Sequence, residues 1–189
     1  MVKTLSTMIP LGSEAPDFRL PDVVSGGELS LGDLKSDVAT VLMFICNHCP
    51  YVKHLQDGLV EVADEYISKG VSFIAINSND VDNYPDDSPE RMKEVAEEKG
   101  YSFPYLFDET QEIAKAYDAV CTPDFFVYDR DLKCIYRGQF DDSRPGNGKP
   151  VTGKDMRMAL DSIIAGQAIE WEQIPSIGCN IKWKGDLHT

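Results

Sequence analysis

A proline directly after a cysteine, at the end of an uncharged run, constrains the fold more than any other stretch of the chain. Residues 41–45 carry no charge, which is typical of a central strand covered on both faces. Pro50 predicts the start of a helix, because proline lacks an N–H and fits the first helical position. Cys49 would then cap the helix, with its sulfur at the positive end of the helix dipole. A thiol in that place ionises more readily, and the thiolate is the nucleophilic form.

Cys46 and Cys49 form a Cys-x-x-Cys motif, which leaves a second choice for the capping residue. If Cys46 capped the helix, Pro50 would be its fourth residue and would remove the first intrahelical hydrogen bond. That register would cost up to about 3 kcal/mol, so Cys49 is the expected cap. In either register the two thiols lie close enough for one disulfide. We expect Cys49 to attack a substrate and Cys46 to resolve the product.

Strand and helix patterns alternate along the rest of the chain. Apolar spacing, glycine stops and proline starts predict short strands at 16–20 and 26–31, further strands at 71–76 and 105–107, a hairpin at 125–138, and helices at 50–70, 88–100 and 153–165. Asp108 and Gln111 predict a capping box for one more short helix. Strands separated by helices pair in parallel through right-handed crossovers, so the fold class is a three-layer α/β sandwich.

The length of 189 residues suits one hydrophobic core. We expect a single domain over 1–189, with a core at about 38–166, an N-terminal β extension at 1–37 and a C-terminal tail at 167–189.

Charge and cysteine content narrow the function. A net charge of -14 argues against nucleic acid and anionic membranes as partners, since both carry phosphates that bind to positively charged protein surfaces. No apolar run approaches the roughly 20 residues of a membrane-spanning helix, and residues 1–12 lack the apolar region of a signal peptide. Five cysteines, an odd number, indicate reduced thiols with a catalytic or metal role. We therefore expect a cytoplasmic protein without a cofactor.

Several motifs resemble one superfamily. Phe44 placed five residues before Cys49-Pro50, together with Thr122-Pro123 before the hairpin, is similar to the thioredoxin superfamily. Ala15-Pro16-Asp17-Phe18-Arg19-Leu20 resembles the branch shared by peroxiredoxins and thioredoxin-like reductases. The segments Cys-Asn-His-Cys-Pro-Tyr-Val, Asp-Asp-Ser-Arg-Pro-Gly-Asn-Gly and Ser-Ile-Gly-Cys-Asn-Ile-Lys-Trp-Lys resemble bacterial redoxin, or AhpC/TSA-like, proteins. The resemblance covers nearly the whole chain and implies a thioredoxin-like α/β/α sandwich.

The resemblance also implies roles for single residues. Cys49 takes the place of the first active-site cysteine, and Val52 stands where the second would be, so a resolving thiol must come from elsewhere. Met43 stands at the place of the buried acid that assists proton transfer. Pro123 takes the cis-proline place, and a cis bond is affordable for an X–Pro pair. The loop that holds Thr122 and Pro123 would lie against the nucleophile and bind an extended substrate through backbone groups.

Four further residues are candidates for the site. Cys121, just before the cis-proline place, is either an alternative resolving thiol or an inert buried one. Cys179 lies in the tail, in no regular sequence pattern. It could be a mobile thiol that resolves the mixed disulfide on Cys49, or the tail could simply pack its tryptophans over an apolar surface. His48 could stabilise the adjacent thiolate when protonated, or it could be an exposed loop histidine. Arg144 lies on a loop expected to flank the nucleophile and is a candidate substrate contact.

Three functions fit these observations. The first is a thiol–disulfide oxidoreductase that works through a mixed disulfide, with a protein or small-molecule disulfide as substrate and an unidentified thiol as reductant. The second is a thiol peroxidase, in which Cys49 becomes a sulfenic acid. Against that reading, Cys46 and Leu42 replace the threonine and proline of the peroxiredoxin motif. The third is a redox-sensing or metal-binding module without turnover, although we predict no metal site.

Overall fold

A computed structural model describes residues 3–185. Its strands are β1 (Lys3–Leu5), β2 (Arg19–Pro21), β3 (Glu28–Ser30), β4 (Ala39–Phe44), β5 (Ser72–Asn77), β6 (Tyr105–Phe107), β7 (Cys121–Thr122), β8 (Asp124–Asp129), β9 (Cys134–Arg137) and β10 (Ile177–Asn180). Its helices are α1 (Leu31–Leu34), α2 (Pro50–Ile67), α3 (Pro89–Lys99), α4 (Glu112–Ala116) and α5 (Lys154–Ile164), with a 3₁₀ turn at Pro85–Asp87.

The central sheet has five strands in the order β6-β5-β4-β8-β9. β4 is parallel to β5 and β5 to β6, whereas β8 and β9 are antiparallel additions. Every residue of β4 is buried, as expected for an uncharged strand in the middle of a sheet. The predicted parallel strands and closing hairpin are confirmed.

Side chains that alternate along β4 separate two hydrophobic clusters, one on each face of the sheet. Val41 and Met43 join the cluster that holds the buried residues of α2, α3 and α5. Leu42 and Phe44 join the cluster that holds Leu31 of α1, Ala114 of α4 and residues of the N-terminal segment. Both faces of the sheet are therefore covered, which confirms the α/β/α layering. Within residues 3–185, no helix is both long and apolar enough to cross a bilayer.

The helix that follows β4 begins where proline places it. Cys49 is the N-cap of α2 in an extended conformation, and Pro50 is the first helical residue. The register with Cys49 as cap is therefore confirmed. β4 delivers the chain to the edge of the sheet, and the cap fixes the sulfur of Cys49 at the start of an 18-residue helix.

The predicted capping box of Asp108 and Gln111 is wrong. Gln111 is itself the residue before α4, with a left-handed φ of 64°, and its amide donates to the carbonyl oxygens of Ser78 (2.6 Å) and Lys182 (2.8 Å). The carboxylate of Asp108 accepts from the Ser78 hydroxyl and from the N–H of Ala114. Both side chains are thus used in long-range contacts, which the local spacing does not reveal.

The tail forms a regular element that the sequence pattern does not show. β10 is the middle strand of a second, three-stranded sheet in the order β1-β10-β7. It pairs antiparallel with β1 through Lys3 and Cys179, and with β7 through Cys179 and Thr122. Gly178 permits this, because a Cβ there would collide with the carbonyl oxygen of Thr122. The tail is consequently anchored beside the residues that precede Pro123.

Candidate active site

Cys49 lies at the centre of a group of thiols that the fold brings together. Its sulfur is 2.6 Å from the sulfur of Cys179 and 3.2 Å from the carbonyl oxygen of Thr122. The side chain has no exposed surface, because the tail strand β10 lies over it. A disulfide has a sulfur–sulfur distance of about 2.05 Å, so the Cys49 and Cys179 thiols need little movement to form one.

The surroundings favour the thiolate of Cys49. Hydrogen bonds from the thiols of Cys179 and Cys46, together with the backbone N–H of Val52, hold the pKa of Cys49 well below its usual value, although burial acts in the opposite direction. Donation to Cys49 raises the pKa of Cys179, and burial adds to that rise. The negative charge of these two thiols therefore rests on Cys49, and Cys179 keeps its proton.

Cys46 is the buried partner of the Cys-x-x-Cys motif. Its sulfur lies 3.2 Å from the hydroxyl oxygen of Thr122, and 2% of the residue is exposed. Burial raises the pKa of Cys46 well above its ordinary value, and the hydrogen bond to Cys49 and the charge of Asp87 raise it further. Cys46 is thus a protonated donor that stabilises the Cys49 thiolate.

The peptide bond between Thr122 and Pro123 is cis, as the resemblance implied. The edge of β7 that precedes this bond is already paired, since Asn180 of the tail lies opposite Cys121. The hydroxyl of Ser176 donates to the carbonyl oxygen of Pro123 at 2.8 Å. The backbone groups expected to bind an extended substrate are therefore occupied by the chain's own tail.

The His48 side chain is held in place by an acid that sequence reasoning missed. Nδ1 of His48 is 2.6 Å from the carboxylate of Asp87, which is completely buried. Asp87 also accepts from the backbone N–H of Asn47 (2.7 Å) and the amide of Asn79 (2.8 Å). The His48 ring stacks on Tyr84 at a centroid distance of 5.3 Å. Asp87 thus fixes the two residues between the cysteines, a role that its position in an acidic loop did not indicate.

The same residues include one group that could hold a metal ion. Donor atoms of Cys46, His48 and Asp87 all lie within 4.8 Å of one another. The carboxylate of Asp87 already accepts three hydrogen bonds, from Asn47, Asn79 and His48. An ion would have to displace at least the bond between His48 and Asp87 before it could use both side chains. The arrangement is that of a hydrogen-bonded network around a thiol.

The structure also defines the surroundings of the candidates Cys121 and Arg144 and of the fifth cysteine, Cys134. The thiol of Cys121 lies 3.7 Å from the carbonyl oxygen of Pro123, and burial raises the pKa of Cys121 above its ordinary value. Cys134 is fully buried in β9, where burial raises its pKa to about 11. Arg144 donates to backbone oxygens of Asp141 and Ser143 within its own loop. Its contact with a substrate, and a resolving role for Cys121, stay predictions.

A buried ion pair supports the strand after the cis bond. Arg137 of β9 binds both carboxylate oxygens of Asp124, the first residue of β8, and both side chains are fully buried. The guanidinium also lies 3.8 Å from the ring centre of Phe126. This pair fixes the start of β8 directly after Pro123. It therefore anchors the strand that directly follows the cis-proline segment.

Comparison with known proteins places these features in context. The model of the AhpC/TSA family matches residues 11–137. The chain is 29% identical over 162 residues to the thiol-disulfide oxidoreductase ResA of Geobacillus kaustophilus. The aligned region covers 85% of this chain and 82% of ResA. The family-model match spans β2 to β9 and hence the Cys-x-x-Cys motif and the cis-proline.

Solved structures show the same fold. An uncharacterized conserved protein from Geobacillus kaustophilus is 62% identical, with a TM-score of 0.97 over 99% of both chains. The thioredoxin domain of a thiol-disulfide oxidoreductase from Bacteroides vulgatus is 17% identical, with a TM-score of 0.61 over 80% of this chain and 99% of that domain. The central layers of the molecule are therefore thioredoxin-like.

Proposed function

The chain belongs to the AhpC/TSA family, and we propose that its thiol–disulfide oxidoreductase activity runs through attack by Cys49 and resolution by Cys179. One observation carries this assignment. The sulfurs of Cys49 and Cys179 are 2.6 Å apart, although the residues are 130 positions apart in the chain. The relatives named thiol-disulfide oxidoreductase ResA support the reaction class.

The first step uses the low pKa of Cys49. The thiolate attacks one sulfur of a substrate disulfide, forms a mixed disulfide and expels the other half as a thiolate. The hydrogen bonds from Cys179 and Cys46 ensure that the attacking form is present at neutral pH. Cys49 is completely buried, so the attack requires local opening of the residues that cover it.

The second step frees the product. In the resting state the bond to the Cys49 thiolate is the first cause of the raised pKa of Cys179. Once Cys49 is bonded to the substrate it carries no charge, and that cause disappears. Burial still raises the pKa of Cys179, and the charge of Lys182 lowers it. The Cys179 sulfur, on losing its proton, attacks the sulfur of Cys49 and releases the second substrate thiol. The oxidised product is a Cys49–Cys179 disulfide, and a thiol reductant must restore both thiols.

A cytoplasmic site of action is part of the proposal. The five cysteines, all within the described residues, are buried and none of them is in a disulfide; thiols stay reduced in a reducing compartment.

The test is to map the disulfide formed in a single turnover. The reduced protein is mixed with one equivalent of bis(2-hydroxyethyl) disulfide, quenched in acid, alkylated and digested for mass spectrometry. We expect a Cys49–Cys179 peptide pair in the wild type and in Cys46→Ser. In Cys179→Ser we expect the mixed disulfide on Cys49 to accumulate.

Three other results would contradict this assignment in different ways. A Cys46–Cys49 bond that forms in Cys179→Ser at the wild-type rate would return the resolving role to Cys46. Trapped sulfenic acid on Cys49 after a peroxide pulse, with no reaction towards disulfides, would assign a thiol peroxidase. Equal rates of product release in the wild type and in Cys179→Ser would also exclude Cys179 as the resolving thiol.

A further inference from the structure

The structure presents a polar cleft at the Cys-x-x-Cys motif that the reaction above leaves without a role. The cleft has a volume of about 390 Å³, and the two residues between the cysteines, Asn47 and His48, form part of its wall. Its other polar residues come from α2, α3 and the loop before α3: Lys53, Gln56, Asp86, Arg91, Glu98 and Lys99. Small-molecule sites have volumes of about 300–1,000 Å³, so the cleft suits a small ligand.

We propose that this cleft binds a low-molecular-weight disulfide that carries carboxylate groups, as the substrate of the Cys49 reaction. The inference rests on the proposed function, because it names the class of disulfide that Cys49 attacks.

Three cations converge on the cleft in a chain whose net charge is -14. Arg91 and Lys99 have acidic neighbours in Glu94 and Asp57, both outside the cleft wall. Lys53 makes no ion pair with any residue between 3 and 185. Since Arg91 and Lys99 are paired with those acids, Lys53 is the cation of the wall that is left to attract an anionic group.

The position of Lys53 strengthens this reading. It lies four residues into α2, near the positive end of the helix dipole, where a cation is unfavourable. The first turn of α2 contains no acidic residue that would compensate. A bound carboxylate would satisfy both the lysine and the dipole.

The tail argues for a small substrate over an extended peptide. β10 occupies the edge of β7, and Ser176 occupies the carbonyl oxygen of Pro123. A peptide that pairs with this edge would first have to displace β10 from both of its neighbours. His48 lines the cleft with 15% of its side chain exposed, and one of its ring nitrogens lies within 4.8 Å of the Cys46 sulfur. A small disulfide could reach the thiols from this side through a movement of His48, with β10 in place.

The experiment compares three disulfides of different charge. Reduced protein is oxidised by oxidised glutathione, by neutral bis(2-hydroxyethyl) disulfide or by cationic cystamine, and the second-order rate of thiol loss is measured. We expect the rate with oxidised glutathione to exceed that with cystamine, and the difference to shrink as salt is added. Lys53→Ala and Arg91→Ala should each slow oxidised glutathione about three- to tenfold and leave the neutral disulfide unchanged. Lys93→Ala, on α3 but outside this cleft, is the matched control.

A binding measurement separates the cleft from the chemistry. The Cys49→Ser variant cannot form the mixed disulfide at this position. Isothermal titration calorimetry of this variant with oxidised glutathione therefore measures binding to the cleft alone. We expect binding that Lys53→Ala weakens and Lys93→Ala does not. Binding without any oxidation of the wild type would overturn the proposed reaction but leave the cleft assigned. Oxidation without charge preference, or equal behaviour of Lys53→Ala and Lys93→Ala, would overturn the cleft proposal.

Discussion

The backbone of Gly178 lies directly against the carbonyl group of Thr122, the residue that begins the cis peptide bond. A Cβ on Gly178 would also come within 3.0 Å of the nitrogen of Pro123. The tail strand therefore covers Cys49 only as long as this position has no side chain.

Gly178→Val should uncover Cys49. The branched side chain cannot fit against Thr122, and overpacking of this kind costs about 1–3 kcal/mol, which corresponds to about a five- to hundredfold rise in the open state. We expect iodoacetamide to alkylate Cys49 faster by about that factor, as followed by mass spectrometry. Gly27→Ala is the control, because a Cβ there meets only the hydroxyl of Ser25, at 3.7 Å. Equal alkylation rates in the two variants would show that β10 does not shield the thiol.

Cys179→Ala should raise the pKa of Cys49, because it removes the first cause of the depression. Thiolate absorbance at 240 nm, taken as the difference between each protein and its Cys49→Ser counterpart, should persist well below pH 7 in the wild type. In Cys179→Ala the same signal should disappear at a higher pH. Cys134→Ala removes a buried thiol from β9 and should leave the titration unchanged. An unaltered curve in Cys179→Ala would leave the helix terminus and Cys46 as the sources of the low pKa.

The stability of the reduced protein should depend on the same group. The pKa of Cys49 is lower in the folded state than the unfolded value of about 8.5, so its contribution is fully present above pH 8.5 and is lost as the pH falls through the folded-state pKa. Urea unfolding of the wild type and Cys49→Ser at several pH values isolates this contribution. The difference between the two unfolding free energies should decrease from pH 9 to pH 5. A difference that grows towards low pH would contradict the thiolate assignment.

Asp87→Asn should destabilise the fold by about 2–4 kcal/mol. One carboxylate oxygen accepts from Asn47, and the other accepts from His48 and Asn79. In either orientation an amide at this position would direct its NH₂ group towards a donor. Asp86→Asn, one residue earlier on an exposed side chain, should change the free energy of unfolding by less than about 0.5 kcal/mol. Comparable losses in the two variants would mean that the network around His48 does not depend on the buried charge.

Arg137→Met should cost about 3–5 kcal/mol, because it leaves the buried carboxylate of Asp124 without its partner. Burial already raises the pKa of Asp124, so the unpaired acid would bind a proton when the arginine is removed. Arg130→Met, in the exposed turn of the hairpin, is the control for loss of one positive charge. Chemical denaturation of both variants measures the two costs. A small loss in Arg137→Met would indicate that Asp124 is neutral in the folded protein.

The strand–cysteine–helix junction could be predicted from the sequence because its signals are local. The uncharged residues of β4, the cap at Cys49 and the start at Pro50 lie next to one another, and each follows from backbone chemistry. The cis bond before Pro123 was available only through the resemblance. These predictions placed one thiol at the right position and left its partner open among Cys46, Cys121 and Cys179.

The partner could not be chosen from the sequence because the deciding contacts are long-range. Cys179 reaches Cys49 through a strand of four residues whose pattern carries no alternation, and its register depends on Gly178. Asp87 follows an acidic loop, yet its carboxylate is fully buried and accepts from Asn47, in a distant segment, as well as from Asn79 of the same loop. Gln111 shows the opposite case, in which a valid local capping pattern gives way to distant carbonyl groups.

The pairing of β10 with both β1 and β7 links the first residues of the chain to the chemistry of its last cysteine. A strand held on two sides leaves only when both ladders break, so β10 should uncover its side of Cys49 in an all-or-none manner. A tag or truncation at the N-terminus that weakens β1 would therefore change the reactivity of Cys49, although β1 itself takes no part in the thiol chemistry. Kinetic comparisons between differently tagged preparations would then depend on the stability of the three-stranded β1-β10-β7 sheet as well as on the reactivity of Cys49.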